Sequence, residues 1–170
     1  MTALVVTFMA DDKPGLVSLL SKTVSAHQGN WLDSSLSRLG GKFTGILVVQ
    51  VAEEQADALT QALNALKGEG INLICEKSQT QELSTDHTEV VLDLVGHDKP
   101  GIVRDISSVL AQHNANVIKL SSELVPGSMS SELLFKAQGR VTVPASMDVN
   151  QLQDALEAIA SDLLVDISFT

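Results

Sequence analysis

The hexapeptide Asp12-Lys13-Pro14-Gly15-Leu16-Val17 returns 86 residues later as Asp98-Lys99-Pro100-Gly101-Ile102-Val103. In each copy a glycine follows an acidic residue and a proline, then opens a run of apolar residues at helical spacing. Gly15 and Gly101 therefore stand where a strand hands over to a helix. A glycine there lets a ligand approach the backbone closely, and the free N–H groups of the first helical turn, aided by the helix dipole, attract an anion without Lys or Arg. A small carboxylate suits such a loop. Asp12 and Asp98, at the same loops, are placed to accept hydrogen bonds from an α-ammonium group. The same residues also fit a purely structural account, in which the two Asp side chains cap the helices, Pro14 sits in a first helical turn and the glycines only permit the turn.

Other chemistry is scarce. The chain has no G-x-S-x-G elbow, no phosphate-binding glycine loop and no H-E-x-x-H, and its four histidines do not pair at metal-ligand spacing. No cofactor or metal is expected, and no catalytic residue. His27 and His113 close the first helix of each half, where a ring packs or interacts with the helix C-terminus. His97 lies beside Asp98, and a small enzyme using that pair for proton transfer lacks a second convergent group. Serines at 34–37, 121–122 and 128–131 read as polar strand faces and turns. The single Cys75, in an alternating stretch, reads as a small buried hydrophobe in a reducing compartment.

The elements that must position these loops follow from periodicity. Leu4–Met9 is a continuous apolar run that suits a central strand. Leu16, Leu19, Leu20, Thr23, Val24 and His27 form a helical stripe that ends near Gln28-Gly29. Residues 30–39 put Leu32 and Leu36 on one face and Asp33, Ser35 and Ser37 on the other. Gly40-Gly41 turns the chain into a third strand at 43–51. Ala56, Leu59, Leu63 and Leu66 mark a second helix, and Ile71–Cys75 a last strand. The second half repeats the order: a strand at 88–96, a helix with Ile102, Val103, Ile106, Val109 and Leu110, a strand at 116–125 and a turn at Pro126-Gly127. Leu133, Phe135, Ala137, Val141 and Val143 then face inward from a strand, Val149, Leu152, Leu156 and Ile159 follow behind Asp148 as cap, and Leu163–Phe169 closes the half. The register of the repeat also pairs His27 with His113, Asn30 with Asn116 and Ser35 with Ser121. The fold class is α+β: two tandem ferredoxin-like βαββαβ domains, 1–79 and 88–170, joined by a polar linker at 80–87, each an antiparallel sheet with helices on one face.

With 11 Lys and Arg against 21 Asp and Glu, the formal charge is −10, and no basic run reverses it locally. Direct nucleic-acid binding is disfavoured. No apolar stretch approaches the roughly 20 residues of a membrane span, and no leader pattern opens the chain, so a cytoplasmic protein is expected.

The repeated loop and the doubled βαββαβ order resemble tandem ACT domains, small regulatory modules of amino-acid metabolism, over both halves. The resemblance implies an amino-acid site at a domain–domain interface, lined by Asp12, Pro14, Gly15, Leu16 and Asn30 in the first half and by Asp98, Pro100, Gly101, Ile102 and Asn116 in the second. For a free-standing tandem chain it implies an amino-acid-responsive repressor of glycine-cleavage genes. Such a chain acts through a protein partner such as a transcriptional activator, with glycine as the small amino acid sensed. The alternative is a non-catalytic allosteric or oligomerisation subunit of an amino-acid enzyme. Strands 30–39 and 116–125 would then pair edge to edge in a homo-oligomer. The halves differ at Asp11 and His97, Asp33 and Lys119, and Arg38 and Leu124, so their two loops carry different charge.

Overall fold

The computed structural model describes residues 1–78, 86–129 and 131–170. The chain divides into two compact units, Met1–Glu82 and Leu83–Thr170. Their boundary, most of the expected 80–87 linker and Ser130 of the serine clusters lie outside the described residues.

In the first unit, β1 (Thr2–Asp11), α1 (Leu16–Ala26), β2 (Asn30–Leu39), β3 (Lys42–Val51), α2 (Glu53–Ala65) and β4 (Asn72–Ser78) follow in order, with a short 3-10 turn at Leu66–Glu69. The second unit repeats them as β5 (His87–His97), α3 (Ile102–Gln112), β6 (Asn116–Pro126), β7 (Leu133–Pro144), α4 (Val149–Leu163) and β8 (Val165–Phe169). Each sheet is antiparallel with the order β2-β3-β1-β4 or β6-β7-β5-β8, so the apolar run Leu4–Met9 is an inner strand, as its composition requires. The fold class read from the sequence stands.

Both cores form on one face of the sheet. Leu4, Val6, Phe8 and Ala10 of β1 and Leu47, Val49 and Val51 of β3 are buried against Leu16, Leu20 and Val24 of α1 and Ala56, Leu59 and Leu63 of α2. Burying each Val, Leu or Phe among these stabilises by about 1.5–3 kcal/mol, well above the few tenths that separate helix propensities, so packing decides where these helices form. Both first helices end in the same way. Gln28 and Asn114 adopt left-handed φ values of 58° and 53°, and the N–H groups of Gly29 and Ala115 donate back to the carbonyls of Val24 and Leu110.

Several local expectations change. A bulge between Trp31 and Asp33 inserts one residue into β2 and shifts the alternation, so Trp31 and Leu36 pack on the core while Leu32 is 51% exposed. Ile118 takes the same extra place in β6. Leu133 is exposed because β7 begins there, beyond the core. Leu163 remains in α4, and Leu164 takes a left-handed φ of 55°, so the last strand opens only at Val165. Ile71 is buried ahead of β4, which runs on to Ser78. Two expectations hold in detail: Gly40 and Gly41 both have positive φ, as a tight hairpin turn demands, and Asp148 caps α4 by accepting from the Asn150 N–H at 2.9 Å.

Candidate functional site

Neither repeated loop is capped by its aspartate. Gly15 and Gly101 are themselves the N-cap residues, with φ of 92° and 97°, and no side chain caps α1 or α3. This left-handed backbone suits glycine and puts Pro14 outside the helix, whose first residue is Leu16. The structural account in which Asp12 and Asp98 cap and Pro14 opens the first turn is thereby corrected. The N–H groups of the first turn are left without an internal acceptor, as at any uncapped helix start.

Each loop is held on two sides. The Asp12 N–H donates to the Gly41 carbonyl and the Asp98 N–H to that of Leu133, both at 3.1 Å, tying the loop to the neighbouring hairpin. The lysine ammonium groups bond elsewhere: Lys13 Nζ donates to the Glu69 carbonyl at 3.1 Å and Lys99 Nζ to the Asp162 carbonyl at 3.2 Å. Both carbonyls lie at the end of the second helical segment, where a cation is favoured. An open hollow of about 330 Å3 at the first loop is lined by Asp12, Lys13, Gly15, Leu16, Ser18 and Phe43. At the second, His97, Asp98, Glu132 and Leu133 line one of about 510 Å3.

The electrostatics of the two loops diverge. Arg38 Nη1 lies 3.4 Å from Asp12 Oδ2, whereas the Asp98 carboxylate has no partner among the described residues. At the outer end of β1, Lys42 pairs with Asp11, and this hydrogen bond holds the Asp11 carboxyl below its ordinary range. In the second unit His97 takes the place of Asp11, with its Nδ1 3.0 Å from Glu132 Oε2. Arg104 Nη2 lies 3.0 Å from where a Cβ on Gly101 would sit, so a guanidinium hangs over the second loop, while nothing lies within 4 Å at Gly15. Arg104 also hydrogen-bonds Asp105 at 2.8 Å, which lowers the Asp105 pKa.

The ACT domain pattern matches residues 2–72 and 88–170. The chain belongs to the ACT domain family. Over 162 residues it is 25% identical to the glycine cleavage system transcriptional repressor of Escherichia coli (strain K12), covering 94% of this chain and 85% of that protein. An unknown protein from Galdieria sulphuraria superposes with a TM-score of 0.89 at 26% identity, over 99% of this chain and 96% of its own. A structure provisionally assigned as a glycine cleavage system transcriptional repressor superposes at 0.74 with 19% identity, over 99% and 96% of the two chains, which shows the shared fold.

Within each ACT unit the loop residues Asp12, Pro14, Gly15 and Leu16, or Asp98, Pro100, Gly101 and Ile102, come together as the sequence suggests. The asparagines do not join them. Asn30 pairs with Gln50 and Asn116 with Thr142, at the far end of the sheet from the loops. Between Gln50 and Lys42, which sits at the loop end, β3 runs eight residues, about 26 Å at the usual strand rise. No single ACT unit brings Asn30 or Asn116 to its own loop. Sequence reasoning missed Arg104, Glu132 and Phe43 as loop neighbours; the first sits three residues past Gly101, and only the sheet register reveals the other two. His27 and His113 keep their structural role, each donating from Nδ1 to the carbonyl four residues back, of Thr23 and Val109, at 3.0 and 2.9 Å. Cys75 packs partly buried against the first core. Among the described residues no cluster of His, Cys, Asp and Glu could hold a metal, and no helix is long and apolar enough to cross a membrane.

Proposed function

We propose that this tandem ACT protein is an amino-acid-responsive regulator that takes a small amino acid, glycine first among them, at the Gly101 loop. The observation that carries the reading is the uncapped start of α3, three residues past Asp98, whose carboxylate has no partner among the described residues. Backbone donors for a carboxylate at the start of α3 follow three residues after Asp98, an acceptor for an ammonium, and the Arg104–Asp105 ion pair lies over Gly101. The Gly15 loop has the same backbone, but Arg38 already competes for Asp12. The output is repression of transcription through a protein partner, by analogy with the named repressor of E. coli. The net charge of −10 favours a protein over DNA as the surface engaged.

Calorimetric titration with glycine, serine and a wider amino-acid panel tests the ligand. One small amino acid should saturate the protein, and Asp98→Asn should weaken it far more than Asp12→Asn. If no amino acid saturates, or Asp98→Asn binds as tightly as the parent, the loop is a structural turn. The partner is tested by affinity capture from the native cell, in which a transcriptional activator, and not an amino-acid enzyme, should be retained.

A further inference from the structure

The core of the second ACT unit is incompletely filled. A half-open apolar cavity of about 50 Å3 lies between α3 and the sheet, walled by Leu92, Ile106, Gly139 and Val141, with the exposed Val117 and Leu120 of β6 at its mouth. The wall is hydrocarbon almost throughout. Its one hydroxyl, on Ser107, is already spent on the Arg104 carbonyl at 3.0 Å.

The first unit shows what is missing. Leu92 pairs with Gly139 in the second sheet, and its repeat counterpart Val6 pairs with Leu47 in the first. Likewise Val117 stands where the first unit has Trp31, each just before the bulge of its strand. Both Leu47 and Trp31 pack into the first core. Replacing a leucine by glycine and a tryptophan by valine removes side-chain volume from one region, Leu120 in place of Ser34 and Leu92 in place of Val6 return part of it, and the surrounding residues register the remaining deficit. Leu92 and Ile106 are 6% and 7% exposed, where their counterparts Val6 and Leu20 are at 0%. Chain geometry does not force the gap, because a Cβ on Gly139 would meet nothing nearer than 3.6 Å.

We propose that this cavity is a second ligand site, distinct from the loop, which takes the short branched hydrocarbon end of a small molecule. Apolar cavities stay dry and are filled favourably by apolar guests. With no free donor inside and only the Ser107 hydroxyl oxygen left to accept, the polar group of the guest stays at the mouth. Ile102 and Val103 of the wall belong to the repeated loop segment, whereas Leu92, Val117, Leu120, Gly139 and Val141 do not, so variants at Gly139 and Val117 test the cavity without altering a loop residue.

Isopentanol is a suitable probe, followed through the methyl resonances of Ile106, Leu120 and Val141, with Val6 and Val49 as internal controls. Saturable shifts confined to the second unit are expected. Gly139→Leu, which installs the residue of the first unit, should abolish them and raise the melting temperature; Val117→Trp gives the same readout should Gly139→Leu fail to fold. Absence of saturation in the parent protein, or shifts that persist in a folded cavity-filling variant, overturns the site. A glycine titration of the same variants reads the loop separately.

Discussion

Arg38 and Leu124 hold equivalent positions, each paired across the sheet with a phenylalanine, Phe43 or Phe135, yet only Arg38 reaches the aspartate of its loop. This exposed ion pair is worth little to stability, about 0–1 kcal/mol, so its effect is on what Asp12 is free to bind. Arg38→Leu should therefore release Asp12 and add a binding event at the first loop in calorimetry; unchanged stoichiometry would show that Arg38 is not what separates the loops. Another exposed pair responds to pH. The Lys77 ammonium, 2.9 Å from Glu53, holds the Glu53 carboxyl below its ordinary range and is itself raised. The stability Glu53 contributes is present above its unfolded pKa and is lost as pH falls through the lower folded one. That of Lys77 is lost only as pH rises through its raised value. Lys77→Met should return the Glu53 titration, read by carboxyl NMR, to the ordinary glutamate range.

At the scale of elements, repeated structure with unlike residues offers built-in controls. Gln28 and Asn114 occupy the same left-handed position after the first helix of each unit, and asparagine tolerates that conformation better than glutamine. Gln28→Gly should stabilise the protein by about 1 kcal/mol and Asn114→Gly by less, as read from denaturant midpoints. Glycines inside strands differ more sharply. A Cβ at Gly45 would lie 2.3 Å from the Ser35 carbonyl oxygen and 2.8 Å from the Leu36 Cα, both backbone atoms of the adjoining strand. Gly45→Ala should cost about 1–3 kcal/mol by overpacking, whereas Gly139→Ala, with open space before it, should be neutral or stabilising. Equal costs at the two positions would mean that the close approach of β2 and β3 relaxes freely.

For the whole molecule, a charge of −10 opposes any phosphate backbone, so the purified chain alone should give no salt-sensitive gel shift with DNA. A sequence-specific shift that weakens with salt would replace the partner mechanism with direct binding. The sequence by itself determined the repeat, the βαββαβ order, the helical stripes and the glycine at each loop, because periodicity and turn chemistry act over a few neighbouring residues. From Leu16, Leu20 and Val24 alone the buried face of α1 can be read. Only the tertiary structure decided that Trp31 and not Leu32 faces the core, since a bulge is settled by pairing with a partner strand. It decided too that Arg38 meets Asp12 across 26 residues, that Asn30 stands at the far end of the sheet from its loop, and that Gly139 and Val117 leave a gap beneath α3. Each of these depends on strand register and on segments distant in sequence packing together, which no local pattern encodes.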